Sequence, residues 1–167
     1  CRYPPEGIRG VAYAVTRAAE YGLKLAEYAD KANDNLLVMC QVESVKTVDN
    51  IEAIGAVDGI DVLFIGPFDL SASMGKPGQF DDPAVADALD RAEGGIRASG
   101  KTLGGILRPG DSLAGMVERG YGLMISASDA TLLRSGTASV GGPSLSAANS
   151  AALVAAGAAS AAAAGAA

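Results

Sequence analysis

Two short apolar runs, each closed by a polar tip, constrain this chain more than anything else in it. Leu36-Leu37-Val38-Met39-Cys40-Gln41-Val42 runs into Glu43, and Val62-Leu63-Phe64-Ile65 runs into Gly66-Pro67-Phe68-Asp69. Neither run alternates between apolar and polar residues, so each reads as a parallel strand buried on both faces. Helical spacing fills the gaps. Ser44 is placed to cap a helix over 45–55. After a loop from Gly66 to Phe80, Asp82 caps a helix that opens at Pro83 and stops at Ser99-Gly100. Residues 101–107 read as a third strand, Asp111 opens a short helix closed by Gly120, and residues 123–126 form a fourth strand. Asp129 opens a last helix. Strand and helix alternating at this spacing predict right-handed βαβ units and a parallel sheet of the α/β class. Four such strands are half of an eight-stranded barrel and leave two open edges.

The flanks are less regular. Residues 1–11 contain Pro4-Pro5 and two glycines and predict a turn-rich loop. Residues 12–35 have helical spacing, in two pieces broken near Gly22. Arg134 is the last charged residue, and Ala, Ser and Gly dominate beyond it. The chain therefore divides into a folded domain, 1–135, and a low-complexity tail, 136–167. Alanine contributes little to membrane insertion, so no membrane contact is expected of the tail. The opening Cys1 and the mid-domain character of the first residues predict that the chain is a fragment of a longer protein.

Composition removes several functions. Nineteen acidic residues against 13 basic ones give a net charge of −6, and aromatics are only 5% of the chain. Without a basic stripe or many aromatic rings, nucleic-acid binding is not expected. There is no histidine, which removes the commonest general base and every zinc site of the usual kind. Cys40 lies in a strand pattern and Cys1 at the chain end, so the two predict reduced thiols in a cytoplasmic protein rather than a disulfide.

Glu43 and Asp69 stand at the C-terminal tips of consecutive strands, where α/β barrels place their active sites. Two carboxylates there can share a hard divalent cation such as Mg²⁺ or Mn²⁺. Gln41 shares a strand face with Glu43, being two residues away, and is placed to donate a hydrogen bond to substrate. Gly66 lets backbone approach a ligand, and amides after Pro67, those of Phe68 and Asp69, can bind a carboxylate. Each feature has a plainer reading. Glu43 can be the solvated first residue of the next helix, favoured by its dipole, and Asp69 can cap a short turn. Arg2 and Arg9, in a proline-stiffened loop, can meet an anion or serve the loop alone. Gly104-Gly105 and Gly141-Gly142 lack the Lys and Ser/Thr of a phosphate loop.

The segments RYPPEGIRGV, QVES, VDGIDVLFIGPFDLSASMG and GKTLGGIL, at residues 2–11, 41–44, 57–75 and 100–107, closely resemble the class II pyruvate aldolases. That family is typified by 4-hydroxy-2-oxoheptanedioate aldolase and includes the 2-keto-3-deoxy sugar-acid aldolases. The resemblance implies the C-terminal half of a TIM (β/α)₈ barrel, in a family that forms hexamers. It implies cleavage of 4-hydroxy-2-oxo acids to pyruvate and an aldehyde with Mg²⁺, Mn²⁺ or Co²⁺. It assigns the metal to Glu43 and Asp69, the pyruvate carboxylate to the turn Gly66-Pro67-Phe68-Asp69, and a place near the substrate to Gln41. It also implies that the catalytic His base and an Arg belong to a preceding half that this chain lacks. No catalytic residue is then present, and the isolated chain is expected to be inactive. Phe68 departs from the family by standing where a small residue is usual. Two alternatives stand beside this one: a non-catalytic half-barrel that binds metal and oxoacid or pairs with a partner, and a citrate-lyase-like enzyme of acyl-CoA.

Overall fold

The computed structural model describes residues 1–141, with side chains through residue 137. The low-complexity stretch from residue 142 onward therefore lies outside the described residues. The chain forms two units, Cys1–Ile125 and Ser126–Ala167. In the second, a helix runs over Asp129–Gly141, with the Thr131 amide donating to Ser128 Oγ at 3.2 Å. It continues six residues into the segment that composition assigns to the tail.

The first unit is built on a four-stranded, all-parallel sheet in sequential order: β1 (Met39–Val42), β2 (Val62–Ile65), β3 (Thr102–Ile106) and β4 (Tyr121–Ile125). Its helices are α1 (Leu25–Lys31), α2 (Val45–Asp49), α3 (Ile51–Gly55), α4 (Pro67–Ser73), α5 (Pro83–Ala98) and α6 (Leu113–Glu118), with α7 being the helix of the second unit. The expected order of strands and helices is present. Val42, Leu63, Ile65 and Leu103 project from one face of the sheet into a core shared with Val48, Ile51, Val85, Leu89, Ile96 and Met116 of the helices. Burying aliphatic surface between sheet and helices is the main stabilising term of this layer.

The two apolar runs fare differently. β2 is central and all four of its residues are buried. β1 is shorter than expected and pairs only with β2. Leu37 (64%) and Met39 (44%) are exposed, and Leu36–Val38 form a lead-in held by Asp61, whose Oδ2 accepts the Val38 amide at 2.7 Å. An edge strand has one neighbour instead of two, so an apolar sequence alone does not bury it.

Local chemistry explains the helix ends. Ser44 caps α2 in a reciprocal box: its Oγ accepts the Thr47 amide at 3.3 Å, and Thr47 Oγ1 accepts the Ser44 amide at 2.9 Å. The expected single helix over 45–55 is two, because Asn50 (φ −111°, ψ 12°) breaks it. Asp82 Oδ1 accepts the Ala84 amide at 2.9 Å and starts α5 at Pro83, as its sequence predicts. At α6 the cap is Ser112 rather than Asp111, since Asp111 is engaged by Arg108. Residues 12–35 form 3₁₀ turns over Tyr13–Val15 and Arg17–Gly22 before α1, with Glu20, Tyr21 and Gly22 at positive φ. The break near Gly22 is real, but the first piece never becomes α-helical.

The glycine pair of β3 serves packing. A Cβ at Gly104 would lie 2.9 Å from both Phe64 and Val62, and one at Gly105 would lie 2.5 Å from the Tyr121 ring. Side chains press on β3 from both faces and leave room for hydrogen only. Between β3 and β4 the register jumps, Leu103 facing Tyr121 and Gly104 facing Leu123. The extra residue, Gly122, brings Tyr121 and Met124 to the helix side together. This bulge extends β4 upstream of its expected start at residue 123.

Candidate functional site

The candidate site lies where β1 and β2 end. The Gly66 amide donates to Val42 O at 3.0 Å, continuing the ladder one residue beyond the end of β2. This sets Glu43 beside Gly66: a Cβ on Gly66 would sit 3.2 Å from Glu43 Cβ, 3.5 Å from Glu43 Oε2 and 3.9 Å from Gln41 Nε2. Gln41, Glu43 and Gly66 are thus together. Val42, between the first two, is fully buried toward the helices, so Gln41 and Glu43 occupy the opposite face of the sheet.

Glu43 is not the first residue of a helix. α2 starts at Val45 and Ser44 is its cap, so Glu43 precedes the helix and its carboxylate does not serve the helix end. Nor does Asp69 cap a turn. The segment after Gly66, expected to be a loop, is helix α4, with Gly66 at the N-cap, Pro67 first and Asp69 third. Proline suits that first position because its φ is preset and no amide is required there. The first amide to bond back is that of Leu70, to Gly66 O at 2.9 Å. The amides of Phe68 and Asp69 come before it and have no acceptor within the helix.

The carboxylates of Glu43 and Asp69 make no hydrogen bond or ion pair with any described residue. Both are hard oxygen donors, the chemistry that Mg²⁺ or Mn²⁺ selects. By donor type they suit a cation that takes few protein ligands and completes its shell with water and substrate oxygens. Among the described residues no group of three or more Cys, Asp or Glu is placed to enclose a metal by itself.

Arg2 and Arg9 lie elsewhere. Arg2 pairs with Glu6 at 3.8 Å and Arg9 stacks over the Tyr3 ring at 4.4 Å. Arg2 also lines a recess of about 260 Å³ with Asn33, Asp34, Val38, Gly59 and Asp61. Val38, Gly59 and Asp61 precede β1 and β2, so this recess is at the strand N-termini, opposite Glu43 and Asp69. Of the two readings of the arginine loop, the geometry supports the structural one.

Two neighbours of the site, Phe80 and Arg108, escaped the sequence reading. Phe68, exposed at 49%, meets Phe80 edge to face with ring centroids 5.0 Å apart, and the Arg108 guanidinium lies 6.0 Å from the Phe80 ring. No fixed spacing signals this contact. It depends on the path of the loop after α4 and on the end of β3.

Four parallel strands in sequential order with their helices form an α/β layer consistent with part of a (β/α)₈ barrel, with Glu43 and Asp69 on its C-terminal side. The chain belongs to the HpcH/HpaI aldolase/citrate lyase family, whose sequence pattern matches residues 1–136. It is 43% identical over 136 residues to a 4-hydroxy-2-oxo-heptane-1,7-dioate aldolase of Salmonella arizonae, covering 81% of this chain and 51% of that protein. It is 48% identical over 103 residues to a hydroxypyruvate/pyruvate aldolase of Cupriavidus necator, covering 62% and 38%. Among solved structures, an HpcH/HpaI aldolase/citrate lyase family protein from Burkholderia cenocepacia matches with a TM-score of 0.72 and 36% identity, covering 83% of this chain and 55% of that one. The chain thus spans about half the length of the curated relatives it matches. The family is enzymatic, and the relatives named here are aldolases, which are carbon–carbon lyases. Among the described residues no helix is long and apolar enough to cross a membrane.

Proposed function

We propose that this chain carries the metal- and oxoacid-binding rim of a class II aldolase that cleaves 4-hydroxy-2-oxo acids to pyruvate and an aldehyde. One observation carries the reading: Glu43, just past β1, and Asp69, in the first turn of α4 after β2, are carboxylates without a side-chain partner among the described residues. Surface acids without a side-chain partner contribute little to folding and suit a ligand. The names of the relatives supply the substrate class.

Glu43 and Asp69 would hold Mg²⁺, Mn²⁺ or Co²⁺. Such a cation, when bound, supplies Lewis-acid stabilisation of the negative charge that gathers on the 2-oxo oxygen as the C3–C4 bond breaks. The chain's own groups bind and orient. The Phe68 and Asp69 amides, free of helix acceptors, donate to the substrate carboxylate, and Pro67 fixes the turn that presents them. Gln41, beside Glu43, donates its amide N–H to a substrate oxygen. Removing the 4-hydroxyl proton requires a base, and the chain holds no histidine. That step falls to residues outside it, as does the Arg implied by the resemblance. The hexameric assembly and cytoplasmic location implied by family and composition belong to the same proposal.

The lack of a histidine favours one further reading, in which the chain binds metal and oxoacid, or only a partner, without catalysis. Calorimetry of the purified chain with Mn²⁺ and then oxalate separates the cases. Oxalate binding that requires Mn²⁺ and is lost in Glu43→Ala supports the site. No binding leaves a pairing scaffold. Pyruvate release from a 4-hydroxy-2-oxo acid by the isolated chain would contradict the division of labour proposed here.

A further inference from the structure

The strand-tip rim carries an aromatic wall that the proposed chemistry does not use. Phe68 lies between Pro67 and Asp69 in the first turn of α4, with half of its surface exposed. Phe80 stands against it at 5.0 Å with an interplanar angle of 84°. Its place is set by the protein. Ser71, fully buried, donates from Oγ to Phe68 O at 2.8 Å and accepts the Gly78 amide at 3.0 Å. The Lys76 amide donates to Ser71 O at 2.9 Å, and Lys76 Nζ reaches both Asp82 oxygens at 2.7 Å. The loop carrying Phe80 is therefore fastened to α4 at one end and to the start of α5 at the other. Phe80 packs partly against the core, and the half-exposed Phe68 ring that it supports stays in water unless an apolar group covers it.

The charges beside this wall are already committed. Lys76 is taken by Asp82. Arg108, beyond Phe80, donates from Nε to Asp111 Oδ2 at 2.8 Å and from Nη2 to Oδ1 at 3.3 Å. Its guanidinium is held along one edge by both oxygens of Asp111, and its side chain is only 18% exposed. Arg2 and Arg9 belong to the other end of the sheet. The described rim thus offers ring surface and unpaired acids, and neither nearby cation is free for a second substrate carboxylate.

We infer that this sector selects oxoacids whose far end is uncharged and apolar, with Phe68 and Phe80 as the specificity-determining residues. The inference rests on the oxoacid site proposed above and names its substrate class. The physical logic is discrimination from both sides. Rings gain from covering an alkyl or aryl group, and a distal carboxylate would lose water without gaining a cation.

The test uses the whole 167-residue chain, loaded with Mn²⁺, and three probes: oxamate, N-benzyloxamate and N-(2-carboxyethyl)oxamate. Calorimetry is expected to show the benzyl compound binding about fivefold tighter than oxamate, from aromatic contact, and the carboxyethyl compound binding more weakly than oxamate. Phe80→Ala keeps oxamate binding and removes the benzyl advantage, whereas Phe80→Leu retains part of it. Thermal unfolding of each variant separates a lost ring from a lost fold. An equal benzyl advantage in Phe80→Ala, or tightest binding of the carboxyethyl compound, would overturn the inference while leaving the oxoacid site standing. Failure of Mn²⁺-loaded protein to bind oxalate and oxamate alike would remove the oxoacid site and the inference with it.

Discussion

Glu93 and Glu43 carry the same carboxylate and live opposite lives. Glu93, in α5, is 5% exposed and enmeshed in the layer between helices and sheet. It accepts the Tyr121 hydroxyl at 2.8 Å and lies 3.8 Å from Arg119 Nε and 3.9 Å from Arg97 Nη1. Arg119 in turn donates to Asp111 Oδ1 at 3.2 Å, and Asp111 holds Arg108. Its own Nε is buried and has no hydrogen bond, so the 3.8 Å approach of Glu93 is what compensates it. Glu43, at the tip of β1, has no such partner among the described residues. A buried acid survives folding only when its charge is matched. An acid at the rim keeps its water and can stay unmatched until something binds. The difference separates structural acids from the candidate ligands more sharply than sequence position does.

The sharpest way to break this contrast is to remove each acid in turn. Glu93→Ala strands the Tyr121 hydroxyl and the Arg119 guanidinium, and should cost about 3 kcal/mol in urea unfolding. If it costs no more than a surface substitution, the buried network is ornamental and the contrast fails. Glu93 should not affect Mn²⁺ binding except through lost fold.

Two pH dependences sharpen the same comparison. Burial, and then the bond to Glu93, push the Tyr121 hydroxyl well above the ordinary tyrosine value of 10.0. A raised value means that stability is fully present below about pH 10 and drains away as pH climbs above it. Tyr121→Phe should unfold with a flatter alkaline limb. At the acid end, burial works against the charged form of Asp111, but hydrogen bonds from the Arg108 side chain and backbone outweigh it. The carboxyl is held below its ordinary 3.8. Its contribution is present above that value and is lost as pH falls beneath it. Asp111→Asn should therefore be less stable at neutral pH and lose less on acidification.

The smallest stability effects belong to the rim. Glu43→Gln and Asp69→Asn should each change unfolding free energy by no more than about 0.5 kcal/mol, as surface substitutions do, while abolishing Mn²⁺ binding by calorimetry. A large destabilisation by either would mean that these acids have folding partners and would reduce the case for a metal site.

Much of the fold was legible in the sequence. The caps Ser44 and Asp82 and the two glycine stops at Gly100 and Gly120 mark boundaries because they act over three or four residues. The parallel sheet follows from the strand–helix rhythm. Other features were hidden. Leu36–Met39 looks as buried as Val62–Ile65, yet only β2 has neighbours on both sides. The segment after Gly66 reads as a loop because Gly and Pro suggest a turn, although Pro67 is where a helix starts. The candidate site was half visible: Gln41 and Glu43 do lie beside Gly66, but Asp69 belongs to the first turn of α4, and nothing in the spacing brings Phe80 to Phe68 or Arg108 to Phe80.

The amino-acid sequence alone determined the order of elements, the helix caps and the acids at the strand tips, because each depends on neighbours a few residues away. Which acids are matched and which stay open was decided only by the tertiary structure. A carboxylate's partner comes from whichever element packs against it, and for Glu93 that partner, Tyr121, lies 28 residues further along the chain.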